Sequence, residues 1–557
     1  MSVMSDTAPA HVKRPISALH GRRLKGIRAE LAERYVRNGE WLNTTLGEMT
    51  RELAASDPDL VVIVDGDHEV SLGALFEEAS RLASALKRRG LGAGDVISYQ
   101  LPNWYEASVL NIAASLAGVA VNPLVPIYRD KEVTFMLDDV ESRMVFVPEH
   151  FRKHDYAEMM ERVNANLPNP VEIVVLRGSG KIGTRYEDLL ADGDPAHELP
   201  EVDPDTPFVL MHTSGTTGHP KCVVHSHNTM LVQGRNNVLD QYSGERDILL
   251  VGTPVSHIAG IIIANFTIAF TKAKIILMDI WNPDEAVKMI ERHGATVCGG
   301  ATPFLAGILS SAQAAGTRLP SLRRFGCGGA GIPEELMERA QAYFPHAHIY
   351  RIYGSTETPT VTGMVEDRND HFHSAHMDGQ VKYCELKFVD PVTGETVPEG
   401  EEGEILIRGA NTMLGYLWEE DNEAAFDEEG YFRSGDLGRL VDGDFLSITG
   451  RKKDLIIRHG ENLSPKEIED AMFTHPAIEN VAVVGMPSAK TGEAVCAFVV
   501  LRKGANLDLA EVSRHVTAEG LAKQKIPERL EIVESLPMSV QGKVLKNELR
   551  EIAAKFA

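Results

Sequence analysis

The sequence predicts an α/β fold. It reads as a large N-terminal domain of two α/β subdomains plus a β-rich subdomain, followed by a small α+β C-terminal domain. Three observations carry this. Short apolar runs at residues 96–100, 119–121, 144–147, 173–176 and 208–210 alternate with helical patterns, as in a mostly parallel sheet covered on both faces. From residue 379 to 446 the texture changes to short strands between turns. The last hundred or so residues then mix strand and helix patterns over the length of one ordinary domain. A chain of 557 residues is also too long for a single core.

The elements follow in order. Leu72, Leu75, Phe76, Ala79, Leu82, Ala83 and Leu86 recur at helical spacing and stop at Gly90, which marks an amphipathic helix. Residues 107–116 read as a second helix. After residue 210 the rhythm restarts, with strands at 248–251, 275–278 and 296–298 and a helix at 283–292. Two successive α/β blocks are expected, with a ligand crevice near their junction. Residues 386–389 and 404–407 are strands of the β-rich piece. In the C-terminal part, 465–473 and 509–520 are helical and 481–484 and 495–501 are strands. Residues 258–270 form the longest apolar run. It is too short to span a bilayer, which needs about 20 residues, and reads as a buried helix.

Composition narrows the function. There are 56 Lys+Arg against 80 Asp+Glu, a formal net charge of −24. That argues against nucleic acid or an anionic membrane as the main partner. Cys222, Cys298, Cys327, Cys384 and Cys496 are scattered, and none forms C-x-x-C. A disulfide framework or a zinc site is not expected, and a reducing, cytoplasmic compartment is. The first 28 residues carry six Lys and Arg, at 13, 14, 22, 23, 25 and 28, but no apolar signal core. They read as a basic leader with some likeness to a mitochondrial presequence.

Chemistry concentrates in Thr213-Ser-Gly-Thr-Thr-Gly-His-Pro-Lys221, directly after an apolar strand. Thr213, Ser214, Thr216 and Thr217 offer hydroxyls. Gly215 and Gly218 let the backbone approach an anion closely, and Lys221 adds a charge for phosphate oxygens. The spacing is not that of a G-x-x-x-x-G-K-[ST] P-loop.

Four further motifs follow in order: Tyr353-Gly-Ser-Thr-Glu357, Ser434-Gly-Asp-Leu-Gly438, Gly450-Arg-Lys-Lys-Asp454 and Pro537-Met-Ser-Val-Gln-Gly-Lys543. With the loop they resemble the signatures of the acyl-adenylate-forming (AMP-binding) superfamily: acyl-CoA synthetases, luciferases and adenylation domains of peptide synthetases. The resemblance runs from about Leu46 to the C-terminus. It implies a leader at 1–45, an AMP-binding adenylation domain at 46–452 and a mobile C-terminal domain at 453–557 with Lys453 as hinge.

The resemblance also implies roles. The loop holds the ATP phosphates, Glu357 binds Mg²⁺, Thr356 holds the α-phosphate, and Gly354 and Ser355 belong to the same nucleotide-binding turn. Tyr353 lies against adenine. Gly328, Gly329 and Ala330 pass the adenine and the acyl group. Asp436 takes the ribose hydroxyls, since one carboxylate can accept two hydrogen bonds, and Arg451 contacts ribose and phosphates. Lys543 serves adenylation. After rotation Gly460, Glu461 and Asn462 line a CoA tunnel. His257, with Thr302 and Gly328–Gly331, borders the acyl pocket, as a wall or gate and not a general base, because a thiol needs no strong base. His371, His373 and His376 have the wrong spacing for zinc and read as a solvated loop.

Some positions depart from relatives. Arg351 stands where luciferases and coumarate ligases carry glutamine, and Asn462 where acetyl-CoA synthetases carry arginine. Residues 100–104 and 122–126 look like bacterial synthetases for short- to medium-chain or alicyclic acids, such as cyclohexanecarboxylate–CoA ligase. The expectation is therefore a carboxylic acid–CoA ligase using ATP, Mg²⁺ and CoA, with room for a homodimer. Its alternatives are a stand-alone adenylating enzyme loading a carrier-protein thiol, a non-catalytic AMP-binding regulator, and a luciferase. No carrier segment follows Lys543, which speaks against a synthetase module. Retention of Lys221, Glu357, Asp436 and Lys543 speaks against the regulator.

Overall fold

A computed structural model describes residues 27–213, 220–241, 246–329, 331–459, 461–538 and 544–556. Local chemistry sets the helix starts. Thr45 and Glu48 form a capping box ahead of Leu46–Ser56, and Ser71 caps Leu72–Arg88. Asn282, just before the helix Pro283–His293, accepts from the backbone amides of Asp284 and Glu285. Each satisfies N–H groups that the first turn leaves unpaired.

Two large sheets dominate. One has eight strands, in the spatial order Gly415–Tyr416, Lys221–Ser226, Pro207–Thr213, Ala120–Pro123, Val96–Tyr99, Met144–Pro148, Glu172–Leu176 and Thr184–Arg185. The other has seven: His348–Ile352, Arg324–Gly328, Val297–Gly300, Ile248–Val251, Lys274–Leu277, Val61–Asp65 and His68–Ser71. Helix Glu106–Ala117 is buried along its whole length, Glu106, Ser108, Asn111 and Ser115 included. It shares one core with Tyr99 and Phe146 of the first sheet and Ile63, Leu249 and Ile275 of the second. Asn103 is a polar tie inside this layer. Its Nδ2 donates to Thr253 O at 3.0 Å and Met278 O at 2.9 Å, and its Oδ1 accepts from Val255 N at 2.8 Å.

The sheets are not successive in the chain. Val61–Asp65, from the N-terminal part, pairs in parallel with Lys274–Leu277. Sequence order alone does not set pairing partners, and this corrects the expectation of two successive blocks. The buried segment 258–270 also differs from a plain helix. It runs as Ile258–Ile261, a π-helical turn Ile262–Phe266, and Thr267–Thr271. Such turns are rare and give no sequence signal of period 3.6.

The β-rich piece is a six-stranded antiparallel sheet, ordered Thr362–Gly363, Gln380–Val381, Phe445–Arg451, Phe432–Val441, Gly403–Arg408 and Glu385–Val389. Beyond it, Ile456–Arg458, Glu461–Leu463, Ile478–Ser488, Gly492–Leu501 and Arg529–Ile532 form another sheet. That sheet has its own cores, one around Val483, Val499 and Val516 and one around Phe498 and Leu549. The three histidines expected in a loop instead lie in a short helix, His371–His376. His373 stacks on Phe445 at 3.9 Å and pairs with Asp370 and Asp442. His376 reaches Glu334 and Glu338. Aromatic stacking and four carboxylates, distant in sequence save Asp370, order the segment.

Candidate active site

The loop expected to hold phosphates sits at the end of a β-hairpin. Thr213 and Lys221 are opposite residues on antiparallel strands, and Thr213 Oγ1 donates to Lys221 O at 3.4 Å. Ser214, Gly215, Thr216, Thr217 and Gly218 lie outside the described residues. Lys221 Nζ is 3.2 Å from Asp421 Oδ1 and 4.9 Å from the centre of the Tyr416 ring. Tyr416 comes from the edge strand Gly415–Tyr416, paired with Val223 and Val224. Its hydroxyl donates to Glu357 Oε1 at 2.9 Å. Burial, then the adjacent Glu357 carboxylate, pushes that phenol well above its ordinary value, so it stays a donor. The loop lysine and Glu357 therefore meet around one aromatic ring.

The turn carrying Glu357 requires glycine at one place. A Cβ on Gly354 would lie 2.0 Å from Pro359 O, so the chain folds back on itself there. Ser355 N donates to Thr358 O at 3.0 Å, and Ser355 Oγ accepts from Thr358 N at 3.2 Å. Met413 N holds Glu357 O at 2.8 Å. His225 Nε2 donates to Thr356 O at 2.8 Å. Burial pulls His225 down to about 4, so its ring is neutral at pH 7.

A second cluster forms on the β-rich sheet. Asp436 and Arg451 face each other across Phe432–Val441 and Phe445–Arg451. Arg451 Nε is 2.9 Å from Asp436 Oδ1, and Tyr353 Oη donates to Asp436 Oδ2 at 2.6 Å. The neighbouring carboxylate raises Arg451 above its ordinary value. Burial, reinforced by Asp436, raises the Tyr353 phenol well above its own. Gly435, at φ +71°, bends the strand so that Ser434 Oγ can accept from Asp436 N at 3.1 Å.

The acyl-pocket candidates lie at the ends of the seven-stranded sheet. A Cβ on Gly328 would meet Ile352 at 2.8 Å, and Gly329 has φ +83°. Thr302 Oγ1 donates to Gly331 O at 2.9 Å, tying a helix start to the glycine segment, while Ala330 lies outside the described residues. Nearby Phe304 packs on Trp281 with ring centres 4.2 Å apart, and a Cβ on Gly252 would clash with Trp281 at 2.5 Å. His257 precedes helix Ile258–Ile261, and its Nδ1 accepts from Ala259 N at 3.4 Å.

The remaining candidates belong to the C-terminal part. Lys453 lies in the turn Lys452–Asp454, between Lys452, which reaches Glu404 at 2.9 Å, and Asp454, which pairs with Arg550. Glu461 and Asn462 are exposed on the strand Glu461–Leu463, and Gly460 lies outside the described residues. Lys543 does too. The residues flanking it are pinched together: Met538 and Val544 form a bridge, and Leu545 N donates to Pro537 O at 2.8 Å.

Sequence reasoning missed His225, Tyr416 and Asp421. His225 shares a strand face with Lys221 at period two, a usable signal. Tyr416 and Asp421 arrive from nearly 200 residues away and carry none. Arg351 is a structural group: it is buried, pairs with Asp378 at 2.6 Å and donates to Ala375 O at 3.1 Å.

A hydroxyl-rich sequence ending in lysine, a carboxylate that shares Tyr416 with that lysine, and a Tyr–Arg pair on the buried Asp436 are what an acyl-adenylate-forming ligase needs. Comparison with known proteins agrees, and the chain belongs to the AMP-binding enzyme family. The profile described as AMP-binding enzyme matches residues 50–417, and that of the AMP-binding enzyme C-terminal domain matches 467–543. The medium-chain fatty-acid–CoA ligase of Escherichia coli (strain K12) is 33% identical over 528 residues, 93% of this chain and 92% of that one. The 2,3-dihydroxybenzoate-AMP ligase of Bacillus subtilis (strain 168) is 30% identical over 531 residues, 94% of this chain and 96% of that one. Among solved structures, ATP-bound MatB from Rhodopseudomonas palustris superposes with a TM-score of 0.81 at 28% identity, covering 92% of this chain and 100% of that one. Among the described residues no helix is long and apolar enough to cross a membrane.

Proposed function

We propose that this chain is an ATP-dependent carboxylic acid–CoA ligase acting on a short- or medium-chain, alicyclic or aromatic acid. The observation that carries the nucleotide half is the Tyr353–Asp436–Arg451 cluster, joined through the turn 353–357 to the Lys221–Tyr416–Glu357 group. The acceptor half rests on likeness to a full-length CoA ligase.

In the first step a carboxylate oxygen attacks the α-phosphorus of ATP, and pyrophosphate leaves. Two anions must be brought together, so positioning and charge stabilisation supply the catalysis. Lys221 and the loop hold the outer phosphates, with Thr213 at the loop's root. Asp436 and Arg451 hold the ribose side, Tyr353 borders the adenine with Gly329 and Ala330, and Thr356 orients the α-phosphate. Glu357 offers a hard oxygen ligand beside the Thr356 hydroxyl, a donor set that fits Mg²⁺. When bound there, the ion would neutralise phosphate charge. Lys543 contacts carboxylate and α-phosphate. In the second step a thiolate attacks the acyl carbon and AMP leaves. The unit 453–557 turns about Lys453, so that Gly460, Glu461 and Asn462 face the thiol's approach. His257, Thr302 and Gly328 wall the acid, next to the Trp281–Phe304 pair. Residues 1–45 precede the adenylation domain at 46–452. Five scattered cysteines with no C-x-x-C pair suit the cytoplasm, and a homodimer is compatible with this reading.

The test is pyrophosphate release with Mg-ATP across acetate to dodecanoate, benzoate and cyclohexanecarboxylate, with and without CoA. CoA-dependent turnover on one acid class is expected. A pyrophosphate burst without CoA-dependent turnover would instead favour a carrier-protein loader, the reading that the aryl-AMP ligase relative supports.

A further inference from the structure

Directly beneath the phosphate loop lies a group the reaction does not use. His212 precedes Thr213, and Cys222 follows Lys221. The two are cross-strand partners in the hairpin, so their side chains leave the same face. Asp139, the last residue of helix Asp130–Asp139, covers them. One ligand atom from each of Asp139, His212 and Cys222 lies within 4.8 Å of the other two. His212 Nε2 is 3.0 Å from Asp139 Oδ2, with the two side chains 2% and 7% exposed. Cys222 is fully buried. Trp418 Nε1 donates to the other Asp139 oxygen at 2.6 Å, the kind of support that orients a metal-binding carboxylate.

We propose that Asp139, His212 and Cys222 form a binding site for a thiophilic divalent cation of the Zn²⁺ class. Thiolate, imidazole and carboxylate are the ligands such ions select, with three protein ligands and one open position. Ligand atoms around a tetrahedral ion sit roughly 3.3–3.8 Å apart, so the site needs to contract by only about an ångström. On binding, the Cys222 thiol releases its proton to solvent and the sulfur bonds the ion in place of a hydration water. Because the ligands flank the loop, the ion would clamp the strands at its root. Occupancy is then coupled to nucleotide affinity, and the coupling is reciprocal. Only this coupling rests on the nucleotide reading above; the ion site does not.

The experiment is titration of metal-stripped full-length protein with Co²⁺ alone, followed by absorbance. We expect one equivalent to bind with a thiolate-to-cobalt charge-transfer band that Zn²⁺ abolishes. The band should vanish in Cys222→Ser and persist in Cys384→Ser. Trp418→Phe should weaken binding about 10-fold or more, the usual effect of removing an outer partner. Absence of the band in the wild type, or its survival in Cys222→Ser, overturns the site. A band whose strength ignores ATP overturns the coupling alone.

Discussion

The two halves of the proposed nucleotide site are built differently. On the ribose side the Asp436 carboxylate is buried, its two oxygens engaged by Tyr353 and by Arg451, whose own side chain is 46% exposed, and the backbone ladder fixes the Asp436–Arg451 spacing. On the phosphate side Lys221 and Asp421 are each about a quarter exposed, at 23% and 26%. There each charged group already has a partner: the lysine pairs with Asp421, and Glu357 accepts from the neutral Tyr416 hydroxyl. One half is a receptor already in shape. The other is a set of partners that an incoming polyphosphate must displace. Bonds to the buried Asp436 carboxylate are costly to break, whereas a pair with neither charge fully buried contributes less. The halves should therefore answer mutation with different magnitudes and, at one residue, with opposite sign.

The largest effects test the proposed phosphate-side chemistry. Lys543→Ala should cut acid-dependent pyrophosphate release by roughly 10²–10³, the scale for losing one preorganised charge-stabilising donor. Reaction of preformed acyl-AMP with CoA should survive in that variant, and equal loss of both half-reactions would sink the two-conformation assignment. Glu357→Gln should fall comparably and shift the Mg²⁺ dependence to higher concentration, while excess EDTA should silence the wild type.

Next comes the ribose side. Tyr353→Phe removes a hydrogen bond to a buried carboxylate, worth about 1.5–3 kcal/mol. KM for ATP should rise roughly 10- to 100-fold; an unchanged KM would break the comparison.

Stability supplies a third test. Burial depresses His225 to about 4 and His227 to about 3, from 6.5. The unfolded chain then binds more protons than the folded one below pH 6.5. Their contribution is complete above pH 6.5 and is lost as pH falls toward those folded values. Thermal melts should show Tm dropping over that window, with a shallower drop in His225→Gln. The smallest effect has the reverse sign. Asp421→Asn frees Lys221 and should tighten ATP binding, by at most about fivefold given the worth of an exposed pair. Weaker binding in that variant would mean that Asp421 positions the lysine instead of competing for it.

Much of this architecture was legible in order along the chain. The apolar strand before Thr213, the helix from Leu72 and the C-terminal strands follow from period and punctuation. The candidate site was legible where a motif is contiguous: 353–357 and 434–438 meet through the Tyr353–Asp436 bond. It failed where partners come from distant segments. Nothing near Tyr416 says that its hydroxyl will meet Glu357. Nothing in the cysteine count says that Cys222 will face a histidine and an aspartate. The same limit hid the pairing of Val61–Asp65 with Lys274–Leu277, since register and neighbour are settled by packing and not by local preference.

Asn103 has an engineering consequence. Its single amide grips backbone atoms of residues 253, 255 and 278, just upstream of His257 and beside the Trp281–Phe304 pair. Any transplant of the proposed acyl-binding wall from a relative must carry this residue with it. A graft cut between residues 103 and 250 would replace a fitted joint with a mismatched one, and the new pocket would lose its shape before its chemistry could be judged.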